Sequence, residues 1–195
     1  MNVIRHDRDT LDLIVYGGTL AGCEAALAGS ARGLRVLLVE PRTFLGTDMT
    51  ASHTVRLTAD RIASHSEPLR DCLTESVAYA NGGHAVVHPG KLKANLVRLL
   101  RANKVEVVFM AQAAGVLKSG DTACGGVFAT KGGLLGIPAG ALLDTTPFKD
   151  LVQASACDVR LAKGPITVTR TLQYIDTDGA RPESVALPEG LRGRL

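Results

Sequence analysis

Six residues constrain this chain more than any other feature: Gly17-Gly18-Thr19-Leu20-Ala21-Gly22. They stand between a short apolar run, Leu11 to Tyr16, and a segment rich in small residues, Leu20 to Arg32. The run reads as a buried strand and the segment as a helix, with Gly33 where a helix stop belongs. Arg35 to Val39 is a second buried strand, ending at Glu40. Strand, turn, helix and strand make one right-handed crossover unit. Against the pattern Gly-x-Gly-x-x-Gly the segment matches at Gly17 and Gly22, with Thr19 in the middle place. Gly17 permits the tight turn, and Gly22 lets helix and strand approach closely. The helix start offers amides and a positive dipole end to a pyrophosphate. Thr19 either crowds such a ligand or adds a hydroxyl hydrogen bond. Glu40 follows Gly22 by 18 residues, close to the ~20-residue offset of a carboxylate that binds an adenosine ribose and repels a 2′-phosphate. The plainer alternative is a glycine turn in a nucleotide-free α/β fold, with Glu40 a solvated strand end.

The rest of the chain supports an α/β domain. Its 195 residues give room for one domain, or one plus an attachment. With 46% hydrophobic and 21% charged residues, wholesale disorder is excluded. The core is aliphatic, because aromatics are 4% and Trp is absent. A net charge of +3 is too small to indicate nucleic acid or an anionic membrane. No apolar run reaches the ~20 residues of a membrane helix, and the polar start MNVIRHDRDT is no signal peptide, so a cytoplasmic protein is expected. Cys23, Cys72, Cys124 and Cys157 are too scattered for a disulfide framework or a zinc site, and no metal is expected.

Pro41 to Ser66 shows no period and reads as a long irregular connection. Glu67 to Ala80 reads as a helix stopped by Asn81-Gly82-Gly83. Pro89 opens another helix, with Leu92, Leu96, Leu99 and Leu100 on one face. Val105 to Met110 is a third strand. Gln112 to Leu117, Thr122 to Thr130 and Gly133 to Ile137 form an antiparallel meander. Ala141 to Leu143 is a separate buried strand, Phe148 to Ser155 a short helix, and Ile166 to Ile175 an alternating strand before a tail rich in Gly and Pro.

The segment DLIVYGGTLAGCEAALAGSARGLRVLLVEP resembles the opening of FAD-dependent oxidoreductases with a glutathione-reductase-type Rossmann domain. It is most similar to the branch whose motif reads Gly-Gly-Thr-Pro-Ala-Gly, from which only Leu20 departs. Phe44-Leu45-Gly46-Thr47 is similar to that branch's Leu-Gly-Gly, which approaches the pyrophosphate; Thr47 replaces the second Gly. Ala141-Leu142-Leu143-Asp144-Thr145-Thr146 resembles the later strand ending in Ala-Thr-Gly-Asp. The resemblance covers about residues 10 to 160. It implies a Rossmann-like FAD-binding domain over residues 1–160, with a central parallel sheet and a three-stranded antiparallel meander as crossover. Residues 161–195 would begin a substrate domain or supply a partner-binding strand and tail. The implied FAD-binding positions are Gly17, Gly18, Thr19, Leu20, Ala21, Gly22, Glu40, Pro41, Arg42, Gly46 and Thr47, with Ala113 holding the adenine at the start of the meander.

Nothing in the sequence resembles the late segment that holds the ribityl chain in that family, or its substrate domain. A truncated or decayed chain accounts for this plainly. A split enzyme accounts for it too, with a second subunit completing the flavin site, and is the expectation adopted. Other candidates weigh less. His84 and His88 flank Gly and Pro rather than sharing a helical face, and read as loop histidines. His53, past the pyrophosphate loop, is either an acid/base group or a plain loop residue. Arg42 and Arg56 either neutralise phosphate or are exposed cations. Cys23 reads as packing against the sheet. The expected function is an FAD-binding subunit of a flavin oxidoreductase passing hydride between a small-molecule substrate and FAD. The rivals are a non-catalytic nucleotide-binding or assembly subunit and an NAD-binding Rossmann protein; the meander and the Leu-Gly-Thr loop disfavour the latter.

Overall fold

The computed structural model describes residues 3–5 and 11–156. These lie in the first of two compact units, Met1–Val159. The expected strand Ile166–Ile175 and its tail fall in the second unit, Arg160–Leu195, outside the described residues; Cys157 also lies outside them.

The crossover unit forms where the sequence places it. Strand β2 is Leu11–Tyr16, helix α1 Leu20–Ala31 and strand β3 Val36–Glu40; β1 is a short strand, Val3–Arg5, ahead of them. All five residues of β3 are buried. An uninterrupted apolar run is what a parallel strand covered on both faces requires. Val15 and Leu38 face one core with α1, while Ile14, Tyr16, Leu37 and Val39 face the other. Helix α5 (Pro89–Ala102) packs on the first face through Leu92, Leu96 and Leu100, each fully buried, and strand β7 (Glu106–Phe109) continues the sheet beside β3. His88 caps α5: its Nδ1 accepts from the amides of Gly90 and Lys91, so it is a structural residue.

The meander comprises β8 (Gln112–Ser119), β9 (Thr122–Thr130) and β10 (Gly133–Asp144). The sheet runs β7-β3-β2-β10-β9-β8, with β1 paired to β10. The last meander strand and the separate strand Ala141–Leu143 are one twelve-residue element. β10 pairs antiparallel with β9 from Gly133 to Pro138, then parallel with β2 from Ala139 to Asp144. Pro138, which lacks a ladder N–H, marks the change of partner and made one strand read as two.

The stretch between β3 and α5 is more ordered than its sequence suggests. Pro41–Ser66 contains α2 (Thr47–Thr50), β4 (Arg56–Thr58) and α3 (Ala59–Ala63), elements too short to show a period. Helix α4 stops at Glu75, having begun at Glu67. Val77–Asn81 is a strand (β5), paired with β6 (His84–Val87), and β4 joins them in a small antiparallel sheet. Asn81-Gly82-Gly83 is thus a hairpin turn rather than a helix stop. Gly82 and Gly83, at φ 56° and 79°, supply the two left-handed residues of a two-residue loop. Short α6 (Asp150–Ala154) begins after the expected Phe148. Among the described residues no helix is long and apolar enough to cross a membrane.

One side chain ties meander to crossover unit. Tyr16 is buried, stacks on Phe128 at 5.7 Å between ring centroids, and accepts the amide of Ala113 at 2.9 Å. Tyr16→Phe keeps the ring contact but leaves that amide without its acceptor. A loss of about 1 kcal/mol in unfolding free energy is expected, read by urea denaturation.

Candidate dinucleotide site

The site forms at the carboxyl ends of β2, β3 and β10, where the chain leaves each strand. Gly17 has φ 106° and is buried. A Cβ there would lie 2.9 Å from Thr145 Oγ1 and from Thr146 Cγ2. Gly22 is bound more tightly still, since a Cβ would lie 2.0 Å from the Gly17 carbonyl oxygen. Backbone contacts of this kind leave no room for a side chain, so the turn and the first turn of α1 are one packed unit.

Thr19 is 4% exposed. It is the N-cap of α1, its hydroxyl accepting from Gly22 N at 3.0 Å and donating to Thr145 O at 3.4 Å. The β-branched side chain therefore turns into the protein and closes the helix start.

Glu40 is 2% exposed rather than a solvated strand end. One carboxylate oxygen accepts the Gly18 amide at 2.5 Å and the other accepts the Arg42 amide at 2.8 Å. Burial pushes its carboxyl above the usual range, while the amides of Gly18 and Arg42 and the Arg42 charge pull it down. A carboxylate has about four lone-pair positions, so Glu40 retains capacity to accept about two further donors.

The loop after β3 folds back onto the turn. Gly46, at φ 67°, donates its amide to the Gly18 carbonyl at 2.6 Å, and Thr47 does so at 3.3 Å. Leu45 is fully buried beneath, and a Cβ on Gly18 would collide with it at 2.5 Å. On the other side Thr145 donates its hydroxyl to Gly17 O at 2.7 Å and its amide to Tyr16 O at 2.8 Å. Asp144 accepts the amides of Thr146, Leu151 and Val152 and so holds the start of α6.

Gly17, Gly18, Thr19, Leu20, Ala21, Gly22, Glu40, Gly46 and Thr47 are thus one constellation. Pro41 and Arg42 border it; Arg42 engages through its backbone, its side chain exposed. Ala113 is linked to it through Tyr16, its amide already donating to the phenolic oxygen. His53 and Arg56 are exposed, His53 at φ 54°. Cys23 is fully buried, and desolvation drives its thiol far above the usual range, so it is packing. Three participants were not singled out from sequence: Thr145, Tyr16 and Asp48. Asp48 Oδ1 accepts the Leu20 amide at 3.0 Å, the N–H that a proline at this place would lack. The sequence signal for Asp48 was an acid in the first turn of a four-residue helix, too short to recognise.

Known proteins bear on this geometry. The sequence profile described as FAD dependent oxidoreductase matches residues 12–178. No curated protein sequence matches significantly. Solved structures of similar fold include THI4 from Thermovibrio ammonificans (TM-score 0.57, 20% identity, 74% of this chain and 61% of that one). Another is p-nitrophenol 4-monooxygenase PnpA from Pseudomonas putida DLL-E4 (TM-score 0.61, 14% identity, 76% of this chain and 44% of that one). A third is the myxobacterial chondrochloren halogenase CndH, described as a variant of FAD-dependent halogenases (TM-score 0.56, 20% identity, 70% and 37%). The chain therefore spans between about two fifths and three fifths of these structures.

The raised carboxyl of Glu40 predicts a pH signature. A native pKa above the unfolded one means that the folded protein takes up the proton first, so stability contributed by this group grows as pH falls. Measured against Glu40→Gln by urea denaturation, the wild type is expected to gain stability on acidification from pH 7 toward the ordinary glutamate value of about 4.3, and no more below it.

Proposed function

This chain belongs to the FAD dependent oxidoreductase family, and from that membership we propose that it is the FAD-binding subunit, or N-terminal part, of a flavin oxidoreductase that passes hydride between a small-molecule substrate and FAD. The observation that carries the reading is the buried Glu40 carboxylate held against the Gly18 amide beside a turn too tight for any Cβ. Gly17, Gly18, Leu20, Ala21 and Gly22 would lie under the pyrophosphate, with Thr19 holding the helix start in shape. Glu40 would take the adenosine ribose, flanked by Pro41 and Arg42. Gly46 and Thr47 would border the pyrophosphate from the facing loop, and Ala113 would border the adenine. FAD when bound supplies two-electron chemistry at its isoalloxazine; this chain binds and orients its adenosine end.

The same reading gives the protein a partner. The chain spans 61% and 44% of two neighbours with this fold, and an isoalloxazine needs walls on both faces to keep water out. A second subunit completing the flavin site and supplying the substrate domain would provide them, through an interface above about 2,000 Å².

Two measurements test this. Glu40→Ala should weaken FAD binding roughly ten- to hundredfold for each charge-assisted hydrogen bond lost, read by flavin fluorescence titration; unchanged affinity in a folded variant rejects the ribose assignment. Light scattering on the protein purified with its co-expressed neighbours should show a yellow hetero-oligomer. A monomer that binds FAD and turns over substrate alone rejects the partner, and a colourless complex favours the assembly-subunit rival.

A further inference from the structure

The amides at the start of α1 are contested by the protein's own acceptors. Gly22 N goes to Thr19 Oγ1, Cys23 N to Thr19 O, and Leu20 N to Asp48 Oδ1 at 3.0 Å. The first two acceptors are neutral and belong to the cap. Asp48 is different: it carries a formal charge, it reaches across from α2, and its residue is exposed, so the side chain has water to move into. By contrast Glu40 is buried and bound through both oxygens, and does not leave.

Other charges frame this point. Desolvation raises the Asp48 carboxyl above its usual range, opposed by the amides of Leu20, Asp48 and Met49 and by His65. His65 is itself turned toward Glu24 at 3.4 Å. Two carboxylates, Asp48 and Glu40, act together on the buried thiol of Cys23. The helix start therefore already holds an anion where positive potential is strongest.

Resting on the reading of this loop as an FAD site, we propose that Asp48 competes with the pyrophosphate of FAD for the Leu20 amide at the head of α1. A carboxylate and a pyrophosphate within a few ångströms repel one another, and only one can accept that amide's proton. Asp48 must then swing toward water before or as the pyrophosphate docks. It holds the head of α1 in order when no dinucleotide is bound, and it lowers the affinity that the turn would otherwise reach. The two effects are reciprocal faces of one linkage: what stabilises the competitor-bound form weakens the ligand.

The test uses the full chain, together with any subunit that co-purifies, as wild type, Asp48→Asn and Asp48→Ala. Asn keeps the shape without the charge; Ala removes the acceptor. Dissociation constants are measured for FAD by flavin fluorescence, and for ADP and adenosine by calorimetry, with melting temperatures taken without nucleotide. Both variants should bind FAD and ADP about tenfold tighter than wild type, with adenosine unchanged. Without nucleotide they should melt about 1–3 °C lower. FAD affinity unchanged or weakened in the folded variants overturns the competition, as does an equal gain for adenosine, which has no pyrophosphate. Should Asp48→Ala fail to fold, Asp48→Asn decides alone. No FAD binding by any form, wild type included, overturns the nucleotide reading and this proposal with it.

Discussion

The site depends on a carboxylate bound at both oxygens. Glu40 reaches from the end of β3 to the Gly18 amide, and its other oxygen takes the Arg42 amide. In one stroke it joins the β2–α1 turn to the β3 exit. Everything else at this end of the sheet leans on that joint. Gly46 and Thr47 reach the turn through the Gly18 carbonyl, the opposite face of the peptide group next to the one Glu40 holds. Thr145 closes the remaining side at Gly17. A charge with so little access to water is costly to bury unless donors face it, so the turn and the carboxylate specify one another.

How much of this was legible in the sequence follows from the length of each signal. The crossover unit was readable because a buried parallel strand, a small-residue helix and a second buried strand leave unambiguous runs, and Gly17, Gly18 and Gly22 stand where a Cβ would collide. Glu40 was readable by its offset from Gly22. The small sheet β4-β6-β5 was not, because three- to five-residue strands with exposed faces carry no run or alternation long enough to see. Asn81-Gly82-Gly83 was noticed and assigned to the wrong job: glycine with left-handed backbone ends helices and turns hairpins alike.

The residues that escaped notice share another trait. Tyr16, Thr145 and Asp48 act through partners 97, 128 and 28 positions away. Their hydrogen bonds are products of topology, and no local pattern announces them. Leu20 is instructive in the same way. Seen in the sequence it is a departure from a motif with proline; seen in space it is a restored N–H with a specific acceptor, so the two unusual residues belong together.

Strand β10 serves two masters along its length, hairpin partner of β9 at one end and inner neighbour of β2 at the other. Its unbroken backbone makes the alignment of a peripheral hairpin and the placement of Thr145 beside the Gly17 turn a single degree of freedom. A slip of one residue between β9 and β10 would carry Thr145 about 3.3 Å along the strand and turn its side chain to the opposite face of the sheet. The hydroxyl that secures Gly17 would then point away from it. Errors made at a remote, solvent-facing turn at Lys131–Gly132 are thereby transmitted over the strand's length to the Gly17 turn, and a chain that mispairs its hairpin unseats the loop at the far end of the sheet.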